Sequence, residues 1–352
     1  MSEARVDRAR DLRAEVMLEP LMHRWELRLF LQEDARRAHA FDWGLEYLGL
    51  EAQDRDPLRT LLSFATDVLY DPSEFYADPG RPPLVDQTMP GRYRFPSAVR
   101  APEDEDNWIS VRFFKPRTWT GRAMIVLPQW NADGESHVGL CRLLSRRGMA
   151  AARLTLPYHE DRGPIGEPRA DLAVSANLGR TLLAGRQAVS DARRTRAWLE
   201  AMGYERIGIL GTSLGSCIAC LALANDRRFR LAVLHHVSSH FGDVIWRGIS
   251  TRHVRSELEP HVSRAALRRI WAPISPAHFV HRVSSRAHAL LLTGRYDLTF
   301  PYDLSECFHR AFRQHVRPHQ VIVVPWGHYT SGVFPFVAIT TSRVLRYLEE
   351  RL

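Results

Sequence analysis

The sequence predicts an α/β fold with a mostly parallel central sheet, and two observations indicate it. Short apolar runs of strand length occupy residues 123–127, 206–210, 288–294 and 320–324. Such continuous runs are typical of strands that are buried on both faces of a parallel sheet. Longer segments separate these runs, and several of them show helical spacing of apolar side chains. We therefore expect helices on both faces of the sheet.

The other elements are predicted from their patterns in chain order. Residues 92–95 and 108–114 alternate in the manner of half-buried strands and are expected to open the sheet. The elements expected next are strand 123–127, helix 137–147, strand 150–156, helix 182–201, strand 206–210, helix 216–224, strand 229–236, strands 288–294 and 320–324, and a final helix within 334–352.

Residues 1–90 are predicted to form a helical N-terminal extension. Apolar side chains recur at helical spacing over 18–30 and again over 58–68. A stretch rich in proline and glycine at 78–83 is typical of a linker, so residues 91–352 are expected to form the main domain. The helices of the extension are expected to pack on that domain, and they could also mediate oligomerisation.

The most informative motif is the pentapeptide Gly211-Thr212-Ser213-Leu214-Gly215, which lies between a strand-like run and a helix-like run. A strand that turns sharply into a helix at Ser213 would hold the serine hydroxyl on a strained turn at the sheet edge. Glycines on both sides permit this turn, because a Cβ there would collide with neighbouring backbone. The pattern favours a nucleophilic serine over an ordinary strand–helix turn.

Two further residues support a catalytic serine by their positions. Asp297 comes shortly after the apolar run 288–294, and His328 comes shortly after the β-branched run 320–324. The carboxyl ends of parallel strands share one edge of a sheet, so both side chains are expected to converge on Ser213. The histidine would then remove the serine proton, and the aspartate would orient the imidazole.

Each of these two roles has an alternative. Asp297 could be a turn residue or a helix cap, in which case Asp303 is the nearest substitute. His328 could be a structural loop histidine, although Gly327 beside it and the helix-like stretch after it favour a catalytic loop.

On these residues the chain resembles the α/β-hydrolase superfamily from about residue 90 onwards, since Ser, Asp and His occur in that superfamily's order. The resemblance implies a serine hydrolase that forms an acyl-enzyme on Ser213. It also implies an oxyanion hole of two backbone N–H groups, one from Leu214 and one from the loop after the third strand. Trp130 is chosen for the second group, with Gln129 and Asn131 as alternatives.

A narrower resemblance rests on the helical extension, Leu156-Pro157-Tyr158, the serine pentapeptide and the Gly327-His328 loop. This combination is similar to the α/β-hydrolase domain-containing protein 18-like family. It implies hydrolysis of an undetermined natural ester, with a lipid-like substrate as one option.

Residues 242–285 occupy the place where that superfamily carries a helical cap over the site, so a cap is expected there. The alternative is a set of ordinary connecting helices. Four aromatic side chains are expected to shape the substrate pocket, namely Tyr158, Trp246, Trp271 and Phe279.

Charge and cysteine content argue against several other functions. The formal net charge is +8, but only Lys115 is a lysine among 48 basic residues, and the arginines are interleaved with acidic residues. Since no nucleic-acid-binding motif accompanies them, no nucleic-acid partner is expected. Cys217 and Cys220 lie three residues apart on an apolar helix and are expected to be core residues. Neither a metal site nor a cofactor is predicted.

The expected compartment is the cytoplasm. The N-terminus has no apolar segment of the kind found in signal peptides. Residues 207–225 carry no charge and approach the length of a membrane span. Because glycines and the serine turn interrupt this run, no stable membrane insertion is expected.

The leading hypothesis is hydrolysis of a small-molecule carboxylic ester, in the carboxylesterase class EC 3.1.1. Thioesterases and serine peptidases share the three catalytic residue types and differ in the pocket. From a different class, the alternative is a non-catalytic binding module on the same fold. The presence of Ser213, Asp297 and His328 argues against it, because a scaffold does not need all three.

Overall fold

The computed structural model describes residues 18–33, 35–82, 84–317 and 319–352, and it is built around a nine-stranded sheet. The strands are β1 (Asp86–Met89), β2 (Arg92–Pro96), β3 (Trp108–Phe114), β4 (Arg122–Leu127), β5 (Met149–Leu154), β6 (Arg206–Thr212), β7 (Leu231–His235), β8 (His288–Gly294) and β9 (His319–Val324). Their order in the sheet is β1-β2-β3-β5-β4-β6-β7-β8-β9. Strand β1 pairs with β2, β2 with β3, and β3 with β5, and these three pairings are antiparallel. The remaining pairings, from β5 through β4, β6, β7 and β8 to β9, are all parallel.

Helices cover both faces of this sheet. They are α1 (18–31), α2 (Pro57–Tyr70), α3 (Val138–Arg146), α4 (Leu178–Ala201), α5 (Leu214–Asn225), α6 (Phe241–Arg247), α7 (Arg252–Leu258), α8 (Arg264–Ile270), α9 (Tyr302–His315) and α10 (Phe336–Arg351). Alternate side chains of β4 enter two separate cores. Ile125 packs in the core that contains α4 and α5, and Met124 packs in the core that contains α3 and α10. The predicted mostly parallel sheet with helices on both faces is confirmed.

The apolar helix α5 lies in the larger of these cores. Its Cys217 and Cys220 are buried free thiols, and burial raises the pKa of Cys217 to about 11. Both behave as core residues, as the sequence predicts. Among the helices of the described residues, none combines the length and the apolar character that crossing a membrane requires.

Some elements begin earlier than the sequence pattern predicts. Helix α4 starts at Leu178 rather than near residue 182, because the Asn177 side chain caps it by accepting a hydrogen bond from the Arg180 N–H at 2.8 Å. The sheet likewise begins before residue 91, since β1 pairs with β2 across a turn at Gly91. One strand therefore lies inside the range predicted as a helical extension.

The N-terminal residues that the structure describes pack directly on the larger core. Leu61 and Val68 of α2 are buried in the same apolar cluster as α4 and α5. Residues 1–17 of the predicted extension lie outside the described residues. The division at residue 90 stays a prediction.

Residues 242–285 are helical, as expected for either a cap or connecting helices. They contain most of α6, all of α7 and α8, and several short 3-10 turns. Leu267, Ile270 and Trp271 are fully buried in the larger core. This part of the segment is therefore core, while α6 contributes to the cavity described below.

A buried ion cluster joins the loop after β5 to α4. The Arg162 guanidinium donates to Asp106 Oδ1 at 3.0 Å, and its other end lies 2.9 Å from Asp191 Oδ2. It also donates to the carbonyl oxygen of Thr155 at 2.9 Å. All three charged side chains are buried, so removing the cation would leave two uncompensated carboxylates.

We expect Arg162→Leu to lower the free energy of unfolding by about 3–5 kcal/mol, because breaking a buried ion pair strands its partner charges. Urea unfolding followed by circular dichroism measures the loss. Arg59→Leu is the matched control, since Arg59 pairs with Asp54 where the side chains are 67% and 80% exposed. That variant should lose less than about 1 kcal/mol. Equal losses in both variants would contradict the proposed contribution of the buried cluster.

Candidate active site

Ser213 stands at the sharp turn between β6 and α5. Its backbone dihedrals are φ 56 and ψ −120, a left-handed conformation that residues other than glycine rarely adopt. The Ser213 N–H donates to the carbonyl oxygen of His235 at 2.8 Å, which ties the turn to β7. A Cβ on Gly211 would clash with the backbone of Gly215, and a Cβ on Gly215 would clash with the carbonyl oxygen of Leu127. The two glycines therefore permit the close strand–helix approach that places the buried serine at the wall of the cavity described below.

The structure brings His328 and Asp297 to this serine. His328 Nε2 lies 2.9 Å from Ser213 Oγ, and His328 Nδ1 lies 2.8 Å from Asp297 Oδ2. The other oxygen, Asp297 Oδ1, accepts hydrogen bonds from the backbone N–H groups of Thr299 and Phe300 at 2.8 and 2.6 Å. The Phe300 ring stacks on the imidazole with centroids 5.2 Å apart. This geometry suits transfer of a proton from the serine hydroxyl to the imidazole.

Asp303, the alternative acid, lies elsewhere. It is in the first turn of α9, and its carboxylate forms two hydrogen bonds with the Arg247 guanidinium at 2.6 and 2.9 Å. Its side chain is 61% exposed. The structure therefore places Asp297, and not Asp303, against His328.

The electrostatic surroundings favour a charge pair between the acid and the imidazole. Burial alone would raise the pKa of the Asp297 carboxyl, but His328 and His236 outweigh it and hold that pKa well below its usual range. Burial also opposes a charge on His328. The carboxylates of Asp297, Glu26 and Glu33 more than offset this, so the pKa of His328 lies above its ordinary value of 6.5.

His236 is a site residue that the sequence reasoning missed. Its Nδ1 lies 2.9 Å from Asp297 Oδ2, and its ring lies 4.6 Å from the His328 ring between centroids. Burial, with the nearby His328, lowers the pKa of His236. The available signal was the pair His235-His236 at the carboxyl end of a predicted strand, since that end shares the edge that holds the other site residues.

Within the described parts of the chain, His236, Asp297 and His328 are the group whose possible metal-ligand atoms all lie within 4.8 Å of one another. Two of these atoms, His328 Nδ1 and Asp297 Oδ2, already lie in hydrogen-bond contact. A metal ion there would replace the contact that orients the imidazole. The same atoms cannot serve both arrangements at once.

The predicted oxyanion donors, Leu214 and Trp130, both line the cavity beside the serine. Leu214 is the first residue of α5, where backbone N–H groups have no partner within the helix. Of the two alternatives for Trp130, the Asn131 N–H is occupied, because it donates to His159 Nε2 at 3.0 Å. Gln129 lines the cavity as well. The oxyanion roles of Leu214 and Trp130 stay predictions.

His159, in the loop after β5, does not line the cavity but supports the loop after β4. Its Nδ1 lies 2.8 Å from the carbonyl oxygen of Pro157 and donates to it, so Nε2 is free to accept from the Asn131 N–H. Burial lowers the pKa of His159 to about 4, which keeps the ring neutral near pH 7. The ring thereby fixes the loop after β4 that faces Ser213.

Ser213 and His328 open onto a cavity of about 530 Å³, within the range of small-molecule sites. Its wall comes from several elements, including α3, β6, α6 and α10, and combines an aliphatic part with many polar side chains. The aliphatic side chains include Leu140, Val174, Leu210, Val244, Ile245 and Val344. Glu33, Arg36 and Arg169 add charged groups, and Arg36 pairs with Glu33 at 2.7 Å.

The four aromatic residues predicted to shape the pocket do not line this cavity, namely Tyr158, Trp246, Trp271 and Phe279. Trp271 is buried in the core, where its Nε1–H donates to the carbonyl oxygen of Leu178 at 3.2 Å. Phe279 is also buried there, edge-on against Tyr76 with ring centroids 5.5 Å apart. These large rings fill the space between the segment 242–285 and the helices beneath it.

Tyr158 and Trp246 are displaced from the cavity for other reasons. The buried Tyr158 donates from its hydroxyl to Glu103 at 2.8 Å, which turns the ring towards the loop before β3. The Arg255 guanidinium of α7 lies over the Trp246 ring of α6, with the guanidinium carbon 5.3 Å from the ring centroid. The pocket assignment is corrected for all four residues.

We expect His328 to titrate above its ordinary pKa of 6.5, because Asp297 stabilises the imidazolium. In Asp297→Asn this pKa should fall, since the carboxylate charge is lost. Asp303→Asn is the matched control and should leave the titration unchanged. NMR of the labelled imidazole across pH measures all three proteins. If the pKa of His328 changed more in Asp303→Asn than in Asp297→Asn, Asp297 would not be the acid that pairs with His328.

Comparison with known proteins adds a structural likeness. No protein-family model matches the chain. An acetyl xylan esterase from Paenibacillus sp. R4 superposes with a TM-score of 0.59 at 18% identity, over 84% of this chain and 100% of that one. Acetyl xylan esterase 1 from Thermoanaerobacterium sp. JW/SL YS485 superposes with a TM-score of 0.56 at 14% identity, over 82% and 93%.

The acylaminoacyl peptidase of Pyrococcus horikoshii is similar as well, with a TM-score of 0.58 at 16% identity. The match covers 74% of this chain but only 41% of the peptidase. The narrower resemblance to the domain-containing protein 18-like family stays a prediction. At these identities the likenesses establish the architecture, and they show that this chain has the α/β-hydrolase fold.

Proposed function

We propose that the protein is a serine hydrolase that cleaves a carboxylic ester through an acyl-enzyme on Ser213. The observation that carries this proposal is the unbroken chain of contacts from Ser213 Oγ through His328 to the buried Asp297. The serine end of these contacts lies at the wall of a cavity that includes an aliphatic part. A hydroxyl, a base and an orienting acid in this order are what nucleophilic acyl transfer requires.

In the proposed reaction Ser213 Oγ attacks the ester carbonyl carbon while its proton passes to His328 Nε2. Asp297 stabilises the imidazolium, and the N–H groups of Leu214 and Trp130 donate to the developing oxyanion. The imidazolium then protonates the alkoxide as the ester C–O bond breaks. Water, deprotonated by His328, attacks the acyl carbon and releases the acid and the free serine.

The aliphatic part of the wall supports an ester with an apolar acyl or alcohol part. A peptide substrate would bring backbone N–H and C=O groups that lose water and need partners. Polar side chains of the wall, such as Gln129 and Asn131, are candidates for such partners, so a peptide is a competing substrate class. Similar structures include both acetyl xylan esterases and an acylaminoacyl peptidase. Thioesters and short peptides are therefore the competing substrate classes for this site.

A fluorophosphonate probe is expected to label the folded protein on the tryptic peptide that contains Ser213, as mass spectrometry would show. Ser213→Ala should remove labelling, while Ser256→Ala, a change at an exposed serine of α7, should not. Ser213→Ala, His328→Ala and the double variant should each lose about 10³-fold or more in kcat, because the residues act as a unit. Persistent labelling of Ser213→Ala would rule out this nucleophile.

The cavity assignment predicts a selective effect of Val244→Ala on p-nitrophenyl esters of graded acyl length. Each buried methylene contributes about 0.8 kcal/mol, or roughly threefold to fourfold in kcat/KM until the space is filled. Because the smaller side chain enlarges the cavity, the preferred acyl chain should become longer. Val254→Ala is the control, since Val254 is an equally buried valine of α7 outside the cavity wall. It should lower Tm and leave the profile unchanged, and identical profiles for both variants would exclude this wall from acyl recognition.

A further inference from the structure

Glu26 is a fully buried residue of α1 that accepts hydrogen bonds from the loop after β9; its exposed fraction is 0%. Its Oε1 accepts from the backbone N–H and the hydroxyl of Thr330, both at 2.7 Å, and its Oε2 accepts from the Tyr329 N–H at 3.0 Å. A buried carboxylate is costly unless donors compensate it, and these are charge-assisted hydrogen bonds. Glu26 thus ties α1 to the two residues that directly follow His328.

The residue before His328 is held by the same contacts. The Gly327 N–H donates to Thr330 Oγ1 at 2.8 Å, and that hydroxyl in turn donates to Glu26. A Cβ on Gly327 would clash with the Glu26 carboxyl group, so glycine is what permits this approach. Both chain neighbours of His328 are therefore anchored to one side chain of α1.

Helix α1 also packs against the loop that carries the acid. Met22 lies in a small apolar cluster with Tyr296 and Trp326, and the His23 ring meets Tyr296 edge-on with centroids 6.0 Å apart. Tyr296 directly precedes Asp297. One helix thus contacts the loop of the base and the loop of the acid.

A hydrogen-bond chain from the segment after α1 reaches the same two loops. The Arg36 guanidinium donates to the Tyr329 hydroxyl at 3.1 Å, and this hydroxyl lies 2.8 Å from Ser250 Oγ. Ser250 Oγ in turn lies 2.8 Å from Thr299 Oγ1. The Thr299 N–H is one of the donors to Asp297.

We propose that Glu26 is a positioning residue for His328, which makes the N-terminal helix a working part of the active site. This inference rests on the proposed serine hydrolase function. Glu26 acts through the loop and keeps His328 Nε2 within reach of Ser213 Oγ. Loss of this anchor would let the imidazole drift from its hydrogen-bonded position, and misplacement by about 1 Å can cost about 10²-fold in rate.

The charge of Glu26 provides a second, independent readout. The charged and titratable groups around His328 are Asp297, His235, His236, Glu26 and Glu33. Because Glu26 favours the imidazolium, removing its charge should lower the pKa of His328. A residue that only added stability would change Tm and leave this titration where it is.

The test compares Glu26→Gln with the wild-type protein and with Glu19→Gln. Glutamine keeps the side-chain volume but removes the charge. Its NH₂ group, which can only donate, takes the place of one carboxylate oxygen that accepts hydrogen bonds from the loop. Glu19→Gln removes a carboxylate that is 57% exposed on the same helix. Tm, the pH dependence of the fluorophosphonate labelling rate and the NMR titration of His328 are measured on each protein.

For Glu26→Gln we expect the labelling rate constant at the alkaline plateau to fall about 10- to 100-fold. Its pH midpoint should move to lower pH, and the proton resonance of the His328–Asp297 hydrogen bond should weaken. Glu19→Gln should match the wild-type protein. Thr330→Val keeps the carboxylate but removes the hydroxyl that links it to Gly327, so a smaller rate loss in the same direction is expected. This second variant serves if Glu26→Gln does not fold.

Several outcomes would overturn the positioning role. An unchanged rate constant and midpoint in folded Glu26→Gln would do so, and so would a lower Tm with an unchanged rate constant for the folded fraction. Wild-type protein that resists the probe would instead refute the proposed function. The NMR titration then decides alone, and an unchanged pKa of His328 in Glu26→Gln would refute the positioning of that residue.

Discussion

The buried charge of Asp297 is the constraint around which the active edge of the sheet is arranged. A carboxylate without solvent is tolerated only where donors and cations replace the lost water. Here the donors are two backbone N–H groups of the following turn, with the imidazoles of His236 and His328 at Oδ2. These partners come from the ends of β7, β8 and β9, which are neighbours in the sheet. One charge thus contacts groups from three strand ends, and His328, at the last of these ends, contacts Ser213.

His328 lies between two carboxylates that act in different ways. Asp297 contacts the imidazole directly. Glu26 instead accepts from the Tyr329 N–H that follows His328, and it reaches the Gly327 N–H before His328 through the Thr330 hydroxyl. Both favour the protonated ring, so the His328 imidazole is more basic than that of a free histidine and is charged over more of the pH range. A base is most useful when its pKa lies close to the working pH.

Sequence patterns predicted the scaffold of this site because its causes are local. Buried strands need continuous apolar runs, and the turn at Ser213 needs glycine at 211 and 215, so both leave a signal within a few residues. The choice between Asp297 and Asp303 had no such local signal, since both follow the same strand. Tertiary packing decides it, because Asp303 faces Arg247 at the surface. The prediction that aromatic side chains line the pocket was wrong for a related reason. Large rings suit a substrate wall and a packed core equally well, and Trp271 and Phe279 belong to the core.

By itself the sequence determined the layered α/β architecture and the chain order of Ser213, Asp297 and His328, the proposed nucleophile, acid and base, since both depend on periodicity and on position after a strand. Only the tertiary structure decided which side chains surround those three residues. Glu26 has the sequence signature of a charged residue on an amphipathic helix, yet it is buried against a loop about three hundred positions later in the chain. No local pattern encodes a contact across that separation. It arises because the helix packs over the edge where the strands end.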